Sequence, residues 1–270
     1  MSTLLLALDT ATEVTSVGLA RVEGDRFDLL GSEVVDAHRA ALSRVLPMAA
    51  AMLSSAGLSA GDLDGVVVGR GPGSFTGVRI GVASAKGLAQ GLGVPLWAVG
   101  TLDAIAQGFA NRDVTLAVVG DAMRGEVFPT LFRCGGGRVV RLGDDHVSKP
   151  QPAALEWAAL NTPLLLVGNG LRKYASVFLD ALGGNADVAP EASWVPSPGG
   201  LIAAWIAARD ADELGDGVAG TVLPLYTRVS DAEENADACT PAQPQRSPAP
   251  TSGTTTPEAA PDTVRGGGVQ

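Results

Sequence analysis

The stretch Gly71-Pro72-Gly73-Ser74-Phe75-Thr76-Gly77-Val78-Arg79-Ile80-Gly81 decides how the rest of the chain reads. An apolar strand candidate, Val66-Val67-Val68, precedes it, and a helix-like segment starts near Val78. Strand therefore feeds helix through a turn whose glycines and proline carry the backbone where side chains would collide. Ser74 and Thr76 are suitable caps for the helix. Such a turn has two uses: its free backbone N–H groups can hold an anion, or its bare backbone can let another backbone approach. Gly71, Gly73 and Gly77 are spaced GxGxxxG, one residue longer than the dinucleotide fingerprint. The residues favour a tight structural turn built on Gly71, Gly73, Ser74 and Gly77.

Working outward, Thr3–Leu8 reads as a buried strand ending at Asp9, with strands at Thr15–Val22 and Phe27–Val35. A helix over Ala40–Ala56, the strand Gly65–Gly69, the glycine turn, a helix over Val78–Gln90, the strand Pro95–Val99 and a helix capped by Thr101 complete a first lobe. A second strand, Val114–Gly120, also ends at an aspartate, Asp121. A gap-free shift of 112 places Thr3, Leu4, Asp9, Leu19, Arg21, Gly24, Arg26, Leu30, Gly31 and Val35 on Thr115, Leu116, Asp121, Leu131, Arg133, Gly136, Arg138, Leu142, Gly143 and Val147. About two or three matches are expected by chance from ordinary composition, so an internal duplication is favoured over shared strand composition. The second lobe continues with helices at Pro152–Ala159, Leu171–Leu182 and Gly200–Arg209, a strand at Leu164–Val167, and a last ordered segment, Leu223-Pro224-Leu225-Tyr226. The expected organisation is an N-terminal lobe over 1–110, a C-terminal lobe over 111–230, and a Pro/Thr/Ala-rich tail over 231–270, expected to be disordered.

Composition narrows the function. Hydrophobic residues are 46% and aromatics 4%, so the core is built of Ala, Val and Leu. No apolar run is long enough to span a membrane, and the start carries no signal-peptide pattern. The two cysteines, Cys134 and Cys239, lie far apart, which fits a reducing cytoplasm. A net charge of −10, with lysine only at positions 86, 149 and 173, argues against direct grip on nucleic acid. If the chain serves a nucleic-acid reaction, another subunit is expected to hold the nucleic acid.

Two repeated lobes, each opening on a hairpin whose first strand ends in Asp, are similar to the actin-like ATPase (ASKHA) fold, an α/β architecture with central mixed sheets in two βββαβα-type lobes. Leu8-Asp9-Thr10-Ala11-Thr12, His38 at a helix start, Gly69 to Gly81, Asp121-Ala122-Met123-Arg124-Gly125-Glu126-Val127-Phe128 and Leu223 to Tyr226 together closely resemble the TsaB family over residues 3 to about 230. That resemblance implies a non-catalytic subunit that pairs with a catalytic paralogue, TsaD. TsaD transfers a threonylcarbamoyl group onto the adenosine beside the anticodon, giving N6-threonylcarbamoyladenosine (t6A). A separate synthase supplies the donor, and an ATPase, TsaE, joins the complex. A second copy of the chain is the other partner the resemblance allows.

The residues bear on chemistry independently. The family's catalytic paralogue carries two histidines four apart on its first helix, a spacing that places both on one face for a metal. Here His38 is followed four residues later by Leu42, and the other histidine is His146, so no metal is expected. A cap or surface role suits His38 better than catalysis. Asp9, Thr10 and Asp121 are the nucleotide-contact candidates. The competing reading has both aspartates capping tight hairpins through backbone N–H groups two residues on. Asp9 is followed by Thr10 and Thr12, and Asp121 by Ala122, Met123 and Arg124 before Gly125, rather than by the glycines that phosphate-binding loops use, so no cofactor is expected. Ser74 has no neighbouring histidine to serve as its base. An actin-like phosphotransferase and a metallopeptidase-like hydrolase are the alternatives, predicting ATP turnover and bound zinc respectively.

The first two helices carry a further message. Between Ala40 and Gly61 the only charge is Arg44, and two apolar stripes run side by side. One stripe contains Leu42, Leu46, Ala49 and Leu53, and the other Ala41, Val45, Met48 and Met52. The second helix is rich in small residues, Gly81 and Ala85 among them. Ala41, Val45, Met48, Met52, Gly81 and Ala85 are therefore expected to form a subunit interface. On that reading, aspartate at Met48 and Met52 abolishes partner binding and leaves the monomer folded.

Overall fold

In the computed structural model, which describes residues 2–36 and 41–227, the apolar runs pair as two five-stranded sheets. β1 (Thr3–Asp9) runs antiparallel to β2 (Val14–Glu23), and β3 (Arg26–Asp36) continues the meander. After α1 (Ala41–Ser55), β4 (Gly65–Gly69) joins β1 in parallel. α2 (Phe75–Leu92) crosses back to β5 (Leu96–Val99), which pairs with β4, and α3 (Thr101–Gln107) closes the lobe. The second lobe repeats the order: β6 (Val114–Met123), β7 (Glu126–Gly135), β8 (Arg138–Arg141), α4 (Pro150–Ala158), β9 (Leu164–Val167), α5 (Leu171–Leu182), β10 (Ala186–Val188) and α6 (Pro198–Asp210). The sheets read β3-β2-β1-β4-β5 and β8-β7-β6-β9-β10, the same connectivity. β10, a three-residue edge strand, has no sequence signal strong enough to predict it.

The 112-residue shift lays β1, β2 and β3 onto β6, β7 and β8. The hairpins differ by one residue in register: Thr3 faces Val22, whereas Thr115 faces Arg133 rather than Cys134. The cause lies at the connections. Residues 10–13 join β1 to β2, but β6 runs on through a bulge to Met123 and turns at Arg124-Gly125, with Met123, Arg124 and Gly125 all at positive φ.

Two helices change sheets. Leu102, Ile105 and Ala106 of α3 pack with Leu116, Val118, Phe128 and Phe132 of the second sheet. Arg141 of β8 fixes α3 further by donating from Nε and Nη2 to both oxygens of Asp103 at 3.0 and 2.7 Å. Conversely, Leu201, Ile202 and Trp205 of α6 pack on Leu5, Ala7, Ala20 and Val67 of the first sheet. β5 of the first sheet ends at Val99 and β6 of the second begins at Val114, and α3 and α6 reach from one sheet to the other. Among the described residues no helix is long and apolar enough to cross a membrane.

The expected interface residues require correction. Val45, Met48 and Met52 face inward, with Met48 and Met52 only 8% and 9% exposed, packed in the core beneath the first sheet with Leu19, Val66 and Val82. Gly31 on β3 makes the space for the Met52 side chain, where a Cβ would overlap it. Gly81 and Ala85 are buried as well. Each helix spends its apolar stripe on its own sheet, as an amphipathic helix on a one-sided core does. Leu46, 47% exposed, and Ala50 lie outward instead. Of Ala41 only the helical backbone is described, and His38 and the 231–270 tail lie outside the described residues. The Met48→Asp/Met52→Asp protein is therefore expected to lose its fold. Two buried carboxylates without partners cost more than about 4 kcal/mol, which urea unfolding followed by circular dichroism will read as a collapsed or absent transition.

Candidate functional site

Strand β1 delivers Asp9 and the loop after it to the start of α2. The helix begins at Phe75, three residues before its expected start, because Ser74 is the cap: its hydroxyl accepts from Gly77 N–H at 3.3 Å. Thr76 lies inside the helix. The loop backbone seats directly in the glycine turn. Ser74 N–H donates to the Ala11 carbonyl at 2.7 Å, and the Thr10 hydroxyl donates to the Gly77 carbonyl at 2.6 Å. A Cβ at Gly73 would overlap the Ala11 carbonyl, and one at Gly77 that of Thr10. A Cβ at Gly81 would crowd the Thr10 hydroxyl at 2.6 Å. Of the two uses open to such a turn, the structure displays close backbone approach.

Asp9 lies below this contact, fully buried. Its Oδ1 accepts from Ala11 N–H at 2.7 Å and its Oδ2 from the Thr101 hydroxyl at 2.6 Å. The Thr101 oxygen in turn accepts from Gly71 N–H at 3.1 Å. Thr101 therefore does not cap α3; Gly100 occupies that position and Thr101 turns its hydroxyl inward. Both Asp9 oxygens are engaged inside the protein, and Asp9 itself does not line the cleft between the lobes. Burial pushes the carboxyl up from 3.8 to about 6, against the two hydrogen bonds that pull it down.

Asp121, the counterpart at the end of the second hairpin, stands in the cleft wall. Its Oδ1 accepts from Met123 N–H at 3.0 Å and its Oδ2 from Lys173 Nζ at 2.5 Å, a bond that holds the lysine charged. Between the lobes lies a cleft of about 590 Å³ lined by Thr10, Thr12, Glu13, Thr76, Asp121 and Lys173, with Asn169 and Arg172 beside them. Glu13 crosses it: its Oε2 accepts from Asn169 Nδ2 at 2.6 Å and its Oε1 from Arg172 Nη1 at 2.5 Å. Sequence reading missed Glu13, Asn169, Arg172 and Lys173. The available signal was the pair Arg172-Lys173 directly after Gly168-Asn169-Gly170 in a chain with three lysines. Among the described residues no three His, Cys, Asp or Glu side chains gather to hold a metal. The cleft presents two acids and two bases already matched to one another.

Duplicated sheets, exchanged helices and Asp-ended hairpins facing one cleft define an α/β protein of the actin-like ATPase type. Residues 35–189 match the family described as TsaD: tRNA N6-adenosine threonylcarbamoyltransferase. An uncharacterised protein of Mycobacterium tuberculosis is 38% identical over 85% of this chain and 93% of its own length. The tRNA threonylcarbamoyladenosine biosynthesis protein TsaB of Bacillus subtilis is 27% identical over 85% of this chain and 96% of its own. The Escherichia coli TsaB is 40% identical over 46% of this chain and 52% of its own. The solved structure of YeaZ from Pseudomonas aeruginosa superposes with a TM-score of 0.67 at 29% identity, over 83% of this chain and 99% of that one. The chain belongs to the TsaB family.

The Asp9 carboxyl gives a test of the buried network. Its raised folded value means that the folded state holds the proton more tightly than the unfolded state. Its contribution to stability is therefore full below about 3.8 and lost as pH rises through about 6. Relative to Asp9→Asn, the native protein is expected to gain about 2 kcal/mol between about pH 7 and about pH 4. Urea unfolding of both proteins across that range measures the difference, in which the other carboxylates cancel.

Proposed function

We propose that this chain is a non-catalytic partner subunit of the assembly that forms t6A in tRNA, and that it acts by binding and supporting a catalytic TsaD paralogue. The single observation that carries this reading is the end-to-end match to the Bacillus subtilis TsaB, over 96% of that protein. The site supports the non-catalytic part. Ala11 and Thr10 fill the glycine turn, Asp9 has both oxygens engaged, and Asp121 is paired with Lys173. The net charge of −10 supports tRNA being held by other members of the assembly. On this reading TsaE also joins the assembly, in the cytoplasm.

Reconstitution tests this reading. With the paralogue, the donor synthase and the ATPase present, threonylcarbamoylation of tRNA should proceed with this chain and fall to near background without it. The isolated chain should turn over no ATP and carry no zinc. Brisk ATP hydrolysis would replace the reading with a phosphotransferase, and bound zinc with peptide cleavage would replace it with a hydrolase.

The contact surface, for the paralogue or a second copy, belongs on the outward faces of α1 and α2. Leu46 and Ala50 on one helix, and Ala83 and Gly87 on the other, are exposed there, and small side chains let a partner helix approach closely. Leu46→Asp with Ala83→Asp should remove co-purification with the paralogue while leaving the free energy of unfolding within about 0.5 kcal/mol of the parent, as surface changes do. Retention of the partner by the double variant places the contact elsewhere.

A further inference from the structure

We propose that Glu13 is an interlobe latch, a carboxylate that ties the two lobes across their cleft, in addition to the α3 and α6 packing and the Arg141–Asp103 pair. The inference is independent of the proposed function. Glu13 lies in the 10–13 connection of the first lobe, and both of its hydrogen-bond donors belong to the second. Its side chain is only 14% exposed, so its charge is partly withdrawn from water and depends on those donors.

Both ends of the latch are prepared in advance. On the first lobe, Thr10 and Ala11 are pinned into the glycine turn, which leaves Glu13 little freedom to wander. On the second lobe, Gly170 N–H donates to the Val119 carbonyl at 2.9 Å, and the Gly168-Asn169-Gly170 backbone lies so close to β6 that a Cβ at Gly168 would overlap that same carbonyl. Asn169 is aimed by its own oxygen, which accepts from Asp121 N–H at 3.0 Å, and this directs its amide donor at Glu13. Arg172 is steadied by a second bond, from Nε to Glu191 at 2.7 Å. A contact between two pre-ordered groups loses little to ordering entropy, which is where most exposed ion pairs lose their value.

The neighbouring pair supplies an internal control. Lys173 and Asp121 line the same cleft, yet both belong to the second lobe. Lys173→Met removes a charge from the cleft and leaves both hydrogen-bond donors to Glu13 in place.

Spin labels at Ser55→Cys on α1 and Glu156→Cys on α4, both exposed, report lobe separation by electron double resonance in the full chain. Cys239→Ser removes the tail thiol, and Cys134 is buried with its thiol pushed up to about 11, so it does not label. The latch predicts a longer and broader distance distribution for Glu13→Gln, which keeps the shape and loses the charge. It predicts the parent distribution for Lys173→Met. The labelled parent, with no cleft substitution, should move toward the Glu13→Gln distribution as salt rises to about 1 M, where the screening length is about 3 Å. Glu13→Gln itself should be insensitive to salt. Equal distributions for the parent at low salt, the parent at high salt and Glu13→Gln would overturn the proposal, as would opening by Lys173→Met equal to that by Glu13→Gln.

Discussion

The structure depends on one contact, the seating of the Thr10-Ala11 backbone in the glycine turn that starts α2. Ser74 N–H on the Ala11 carbonyl and the Thr10 hydroxyl on the Gly77 carbonyl use groups that a helix start would otherwise offer to an anion. The approach is possible because Gly73 and Gly77 carry no Cβ at the points of overlap. Asp9 then has to lie inside the protein, and its burial requires the Thr101 hydroxyl and the Ala11 N–H as replacements for water. Thr101 is held by Gly71, within the same turn. Strand β1, the turn and α3 are thus tied by one short chain of hydrogen bonds. The last described segment is tied to it too, through Leu225 N–H on the Arg70 carbonyl at 2.8 Å.

The two lobes repeat a topology and diverge at the hairpin tips. The first keeps a four-residue connection that dives into the glycine turn and carries Glu13 out of it. The second makes a tight turn at Arg124-Gly125 and leaves Asp121 at the cleft wall beside Lys173. One residue of register separates them, and with it one aspartate sits in the interior and the other at the surface. The sheets stay alike because their strands need only an alternating apolar pattern. The connections differ because nothing in the core constrains them.

This division also sets what the amino-acid order makes legible. Strands rich in Val and Leu announce themselves by composition and period, and the Asp9/Asp121 repeat at a fixed offset exposes the duplicated topology. The glycine turn was readable as a site of close approach, because Gly73 and Gly77 have no other evident use. The facing of α1 was not readable. Met48 and Met52 differ from Leu46 only in the side they turn to the sheet, and Gly31, far along another strand, makes the room for Met52. With alanine between the stripes, the helix has no polar face to mark its outside. The Glu13 pairing is legible only in space, since its partners Asn169 and Arg172 lie 156 and 159 residues away.

Helix α2 connects the two regions that chemistry or a partner could address. Its first turn forms part of the cleft wall, at Ser74, Thr76 and Gly77, while its later outward positions, Ala83 and Gly87, share the exposed side of the lobe with Leu46. Its 18 residues bury Val78, Val82, Ala85 and Ala89 along one stripe, so the turn that seats Thr10 and Ala11 and the outward positions belong to one continuous element packed on the first sheet.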